Sequence, residues 1–228
     1  MVDLESLIPD IKRLAQEKLA KHRLPGIALG IIRDQDLAWF GGFGLADLDS
    51  DRKPDEHTIA RVASVTKTFT TTAVLQLRDE GKLHLNDPLV KHIPEFASVK
   101  VGFGTVEDVT LRRLLTHHSG LVTESPTPGW DALQFPTREE ILGHLKETEI
   151  VIPQDSGWKY SNLAFALLGE VVHRVSGEPY TEYVRTQIFE PLGLSSSVFD
   201  LTADLKPRFF VGYNPTPFQD FPETQLFY

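Results

Sequence analysis

Ser64 and Lys67 stand three residues apart in Arg61-Val62-Ala63-Ser64-Val65-Thr66-Lys67, and a hydroxyl and an amine at that spacing are the parts of an activated nucleophile. A serine hydroxyl attacks a carbonyl poorly at neutral pH. It needs a neighbouring base and donors aimed at the oxyanion that forms. A lysine amine serves as that base, alone or through a partner. The spacing works on a helix, where positions i and i+3 share one face with Cβ atoms roughly 5–6 Å apart. At the start of a helix, Ser64 also gains free backbone N–H groups and the positive end of the dipole. Taken alone, Ser-x-x-Lys also occurs as a solvated pair in many helices, so its context decides its meaning.

A second group of chemical interest lies in Gly157-Trp158-Lys159-Tyr160-Ser161-Asn162, just before the apolar run Leu163 to Ser176. In an extended approach Tyr160 and Asn162 point to the same side, while Ser161 or Asn162 caps the helix that follows. A phenol can shuttle protons for a serine, and an amide can donate to substrate and to Lys67. A buried tyrosine beside an ordinary N-cap is the plainer reading of this stretch alone. Its weight comes from occurring in the same chain as Ser64 and Lys67.

The elements that must position these groups are legible from periodicity. Val65 to Glu80 has no Gly or Pro, and Val65, Phe69, Ala73 and Leu77 recur at steps of four, which predicts one helix with an apolar stripe stopped by Gly81. Leu4, Leu7, Ile8, Ile11, Leu14, Ala15 and Leu19 predict an amphipathic helix covering one face. Ile27 to Arg33 and Leu37 to Phe43 are short β-rich runs around Asp34-Gln35-Asp36, a predicted hairpin that needs a larger sheet for stability. The acidic stretch Asp47 to Asp55 reads as a solvated loop. Leu83 to Pro88 and Ile93 to Glu95 read as turns with short helical pieces. Val109 to Thr116 predicts a short helix closed by a His117-His118-Ser119-Gly120 turn. Thr137 to Glu140 has capping-box spacing and starts a helix running to about Thr148.

Composition narrows the function classes. With 228 residues and 41% hydrophobic residues a sizeable core is available, and a formal charge of −9 without a basic block argues against nucleic acid or an anionic membrane as partner. The absence of Cys excludes disulfides, thiolate catalysis and cysteine metal sites. The eight His lack H-x-x-x-H or H-E-x-x-H spacing, so no metal and no cofactor is expected. Gly41-Gly42-Phe43-Gly44 is followed by no Gly-Lys-Ser/Thr, so it is not read as a phosphate loop. Trp39, Trp130 and Trp158 are read as core or cleft wall. The acidic N-terminus, unlike a secretory signal, and the lack of an 18-residue apolar run lead to an expectation of no membrane span and a cytoplasmic location.

Five blocks together carry a family resemblance: Arg61-Val-Ala-Ser-Val-Thr-Lys-Thr-Phe-Thr70, Asp79-Glu-Gly-Lys-Leu-His-Leu-Asn-Asp-Pro88, Leu114-Leu-Thr-His-His-Ser-Gly-Leu121, Tyr160-Ser-Asn162 and Phe189-Glu-Pro-Leu-Gly-Leu194. The chain resembles the serine β-lactamase and penicillin-binding-protein family, in the branch of class C β-lactamases, D-Ala-D-Ala carboxypeptidases and lactamase-like esterases. The resemblance implies an α+β fold with an antiparallel sheet, flanking helices and an all-helical region. Within one domain over 1–228, it implies a helix and first strands over 1–60, a mainly helical region over 61–200 and an irregular tail over 201–228. By motif position, Ser64 would be the acylated nucleophile, Lys67 and Tyr160 its proton partners without a decision between them, and Asn162 the group that holds the substrate amide or carbonyl. The substrate would be an ester, a β-lactam or a D-amino-acid peptide.

One departure stands against these matches. The family's third motif, Lys, His or Trp followed by any residue and Gly, is absent between Leu163 and Tyr228; His118-Ser119-Gly120 fits the letters but precedes Tyr160. The stretch from Pro215 to Tyr228 is aperiodic and aromatic, and no later strands are expected in it. The expectation is a C-terminally truncated domain lacking one oxyanion donor, worth about 2.7–4 kcal/mol of transition-state stabilisation. An unpaired sheet edge would then favour self-association. Two readings follow: a serine hydrolase, or a family member without turnover that acts as a binding module.

Overall fold

The computed structural model describes residues 3–128, 135–214 and 223–224, and it divides into two compact units, Met1–Arg61 with Val198–Tyr228, and Val62–Ser197. Trp130 lies outside the described residues.

The first unit opens with helix α1, Leu4–His22, whose N-cap Asp3 accepts from Glu5 N and whose C-cap Arg23 takes the left-handed conformation at φ 50°. Its apolar stripe is only partly covered. Ala15 is buried, while Leu7 and Leu14 remain 42% and 50% exposed. Strands β1, Gly26–Arg33, and β2, Asp36–Gly44, pair antiparallel from Gly26↔Gly44 to Arg33↔Asp36. The turn holds two residues rather than the expected three. Asp34 and Gln35 both have positive φ, which matches the twist of a tight hairpin. A bulge at Ile31/Ile32 absorbs Ala38. The glycines of β2 serve packing, since a Cβ on Gly42 would lie 2.0 Å from Pro54 O. Both outer edges of this hairpin lack a further strand among the described residues.

The second unit is built on two helices. A 3-10 turn, Ala63–Val65, leads into α2, Thr66–Asp79, and Gly81 at φ 71° ends it as predicted. The stripe that α2 buries is Thr70, Ala73, Val74 and Leu77. Val65 is not part of it: it sits in the 3-10 turn and is 57% exposed, because the helical phase starts one residue later than the periodicity suggests. Then come α3, Leu89–His92; β3, Lys100–Val101; α4, Leu111–Leu115; α5, Arg138–Gly143; and β4, Glu149–Ile150, which pairs parallel to β3. The capping box of α5 forms between Thr137 and Glu140, but the helix tightens into a 3-10 turn at Leu145–Glu147.

Helix α6, Asn162–Ser176, is the centre of this unit. It buries Leu163, Ala164, Leu167, Leu168, Val171 and Val172 against Ala73, Val74 and Leu77 of α2 and against Leu111 and Leu114 of α4. At about 1.5–3 kcal/mol for each large side chain buried, this contact fixes the ends of α2 and α6 as a pair. Helix α7, Tyr180–Val184, runs on into a π turn, Arg185–Phe189.

Returning to the first unit, the chain forms β5, Tyr213–Asn214, antiparallel to β6, Glu223–Thr224. The tail thus carries a short ladder where no strand was expected; two residues per strand are too few to leave a periodic signal.

Candidate active site

The second unit brings all four expected residues to one place. Ser64 lies in the 3-10 turn directly before α2, so Lys67 is on the first turn of the helix itself. The amine donates to Ser64 Oγ at 3.3 Å. Immediately before the serine, Ala63 holds a left-handed φ of 42°, a conformation that costs a non-glycine residue about 1–3 kcal/mol and is maintained only by its surroundings.

Tyr160 and Asn162 arrive on the strand-like approach to α6. Ser161 is the cap, its Oγ accepting from Ala164 N at 3.0 Å and donating to Val122 O at 2.7 Å, and its backbone is extended at φ −140° and ψ 116°. The residues on either side therefore project to the same side. Tyr160 Oη and Ser64 Oγ share a hydrogen bond of 2.6 Å. Hydrogen bonds from Lys67 and then from Ser64 hold the phenol below its ordinary 10, outweighing the upward push of burial.

Asn162 plays a different part from the one its type suggests. It was expected to donate to Lys67, but Lys67 Nζ donates to Asn162 Oδ1 at 2.6 Å, and Asn162 Nδ2 donates to Glu124 Oε1 at 2.6 Å. A lysine amine is a donor group, so the amide must turn its oxygen to it. The order Lys67, Asn162, Glu124 then assigns the amide orientation from both ends.

Three further residues belong to this cluster. Glu124 has no signal in the sequence, since a lone acid in a loop reads as solvated. Its Oε2 is buried and without a hydrogen-bond partner among the described residues. Phe165, one turn into α6, places its ring 5.5 Å from Lys67 Nζ, and the Tyr160 ring lies 4.7 Å from the same amine. His117, read as part of a turn, is buried; its ring lies 4.6 Å from Tyr160, 5.1 Å from Phe165 and 5.6 Å from Trp158. Trp158 is 64% exposed and lies at the rim rather than in a core.

The geometry supplies a hydroxyl, two groups able to exchange its proton and an amide that anchors one of them. Among the described residues no helix is long and apolar enough to cross a membrane.

Known proteins resemble this chain over most of its length. D-alanyl-D-alanine-carboxypeptidase/endopeptidase AmpH of Escherichia coli K12 is 35% identical over 188 residues, 82% of this chain and 48% of that protein. A solved β-lactamase/D-alanine carboxypeptidase from Yersinia pestis superposes with a TM-score of 0.79 at 27% identity, over 92% of this chain and 60% of that one. An octameric penicillin-binding protein homologue from Pyrococcus abyssi gives 0.77 at 28% identity, over 96% and 49%. The chain has their β-lactamase/transpeptidase-like fold and spans about half the length of the curated relatives it matches. The Beta-lactamase family model matches residues 11–225, which takes in both the helix start bearing Ser64 and the approach bearing Tyr160, and the chain belongs to that family.

Proposed function

We propose that Ser64 is the nucleophile of a serine hydrolase that works through an acyl-enzyme on an ester, a β-lactam or a D-amino-acid peptide. The observation that carries this reading is the 2.6 Å hydrogen bond between Ser64 Oγ and Tyr160 Oη, with Lys67 Nζ 3.3 Å from the same hydroxyl. Family membership and the carboxypeptidase and β-lactamase relatives support it.

In this reading the Ser64 proton passes to the Tyr160 and Lys67 pair as Oγ attacks the substrate carbonyl. The first N–H groups of a helical turn have no intrahelical partner, so Ser64 N–H is the donor for the developing oxyanion. Collapse of the tetrahedral species expels the leaving group, which takes the proton back from the pair. Water then gives a proton to the same pair as its oxygen attacks the acyl carbonyl, and collapse of the second tetrahedral species breaks the bond to Ser64 Oγ, which takes that proton back as the acid departs. Asn162 keeps one N–H beyond the one donated to Glu124, and that N–H donates to the substrate carbonyl.

Mass spectrometry after exposure to a fluorophosphonate or a penicillin tests the assignment. An adduct on Ser64 that vanishes in Ser64→Ala is expected, and labelling that survives the substitution overturns it. Lys67→Ala should slow acylation while the fold persists; an unchanged rate removes Lys67 from the mechanism. The same labelling tests a second reading, a binding role without turnover. A burst of acylation followed by negligible steady-state hydrolysis is the outcome that role requires. Self-association through the hairpin edges is read from sedimentation of the same sample: a concentration-independent monomer excludes it.

A further inference from the structure

Tyr160 and Asn162 project from backbone that belongs to no sheet; Thr123 O and Val122 O accept from Asn162 N and Ser161 Oγ, and His117 accepts from both amides that flank Tyr160. Lys159 N donates to the His117 carbonyl at 2.8 Å, and Ser161 N donates to His117 Nδ1 at 3.1 Å. The two amides flanking Tyr160 thus end on a single residue, with an imidazole nitrogen standing where a strand would offer its next carbonyl. His117 reaches this position because its backbone is left-handed at φ 60°, a region where Asn, Asp and His are enriched among non-glycine residues. Its ring then lies against the ring of Tyr160 at 4.6 Å and 34°.

We propose that His117 is a positioning residue for Tyr160, and that the neutral imidazole with a bare Nδ1 is the form that holds the phenol against Ser64. The proposal rests on the Ser64 reading given above. A protonated imidazole carries hydrogen on both nitrogens, so Nδ1 can no longer accept from Ser161 N–H and the two donors face each other. Protonation also adds a cation to a cluster that already holds Lys67.

The groups around the ring set where this happens. Lys67 of α2 and His118 on the same turn are the basic neighbours, Tyr160 is the titratable ring above it, and Glu124 joins the cluster through the hydrogen bond from Asn162 and through its charge, which acts on Tyr160. Phe165 and Trp158 contribute uncharged rings, and the Lys159 amine is turned to Thr123 Oγ1. Burial first, then Lys67 and His118, lower His117 below its ordinary 6.5. The neutral form therefore prevails at neutral pH, and release of the Tyr160 segment is an acid event.

Two substitutions separate acceptor from bulk. His117→Asn puts Oδ1 where Nδ1 stands, suits the left-handed backbone and does not titrate; His117→Phe keeps a stacked ring and loses the acceptor. The first readout is NMR of the 228-residue chain with labelled His and Tyr. We expect His117 to carry its proton on Nε2 at neutral pH, and the Tyr160 ring signals to move with the His117 midpoint, a movement absent in His117→Asn. A proton on Nδ1, or Tyr160 signals indifferent to that midpoint, overturns the proposal.

The second readout is the rate of Ser64 labelling by a fluorophosphonate. The parent should lose rate with the His117 midpoint, His117→Asn should lack that component of the acid limb, and His117→Phe should be slower at neutral pH by roughly 10- to 100-fold. Equal losses in both variants with an unaltered acid limb mark a purely structural role and overturn the proposal. No labelling at any pH together with coupled NMR titrations sinks the Ser64 reading and upholds the His117 assignment.

Discussion

Lys67 Nζ lies 2.6 Å from Asn162 Oδ1 and 3.3 Å from Ser64 Oγ, so the amine is anchored more closely to the amide than to the hydroxyl beside it. The amide is itself fixed by Glu124. The position of the amine is therefore decided on α6, not on α2, where its own backbone lies.

Asn162→Ala breaks that chain at its middle. Lys67 loses its fixed acceptor and a partly buried carboxylate loses its donor, with about 1–3 kcal/mol of destabilisation expected for the group left unpaired. Ser64 labelling should slow by roughly 10- to 100-fold, since a small misplacement of a catalytic group is amplified in rate. Denaturant unfolding and labelling kinetics on the same sample check both parts. A labelling rate equal to the parent's would mean that Lys67 does not need this anchor.

Tyr160 should be the earliest phenol to ionise among the four described tyrosines. Hydrogen bonds from Lys67 and Ser64 lower it, while burial raises Tyr180, Tyr183 and Tyr213. As pH rises, near-ultraviolet phenolate absorbance should show a first component that Tyr160→Phe abolishes. The same variant keeps its ring against His117 and Lys67 but loses the hydroxyl bonded to Ser64 Oγ; on the proposed role of Tyr160 as proton partner, acylation should fall roughly 10²- to 10⁴-fold with little change in stability. An undiminished first component in Tyr160→Phe would reassign it.

Glu170 ties the helical unit together at a distance from the chemistry. Its side chain is 4% exposed and accepts from Arg138 of α5 and Arg174 of α6, and Arg174 also grips Glu95 through two bonds of 2.9 Å. Burial pushes the Glu170 carboxyl up, yet the two guanidinium groups outweigh it and hold it below 4.5. A carboxyl lowered in the folded state stabilises fully above its unfolded value and loses that contribution as pH falls through the folded one. Glu170→Gln should therefore lose about 2 kcal/mol at neutral pH, discounted because Arg138 is half exposed, and should show a flatter decline of melting temperature below 4.5. Parallel pH profiles for the two proteins would remove Glu170 from the acid response.

The sequence by itself determined the long helices α1, α2 and α6 and named Ser64, Lys67, Tyr160 and Asn162 as the candidate groups. Both follow from local rules. The break at Gly81 requires a left-handed residue, the Thr137 and Glu140 pair satisfies N–H groups within one turn, and Ser64 and Lys67 need only the pitch of a helix to meet. The pairing of β1 with β2 is equally local, since a short connection leaves an antiparallel hairpin as the available partner.

Tertiary structure alone decided how those groups are arranged. Residues 96 positions apart meet because α2 and α6 bury their stripes in one core, and periodicity names each stripe without naming its partner. The same holds for Glu124 and His117, whose types and neighbours read as a solvated acid and a turn. The reversal at Asn162 has the same origin: an amide offers a donor and an acceptor alike, and only the position of Lys67 on one side and Glu124 on the other selects which faces which.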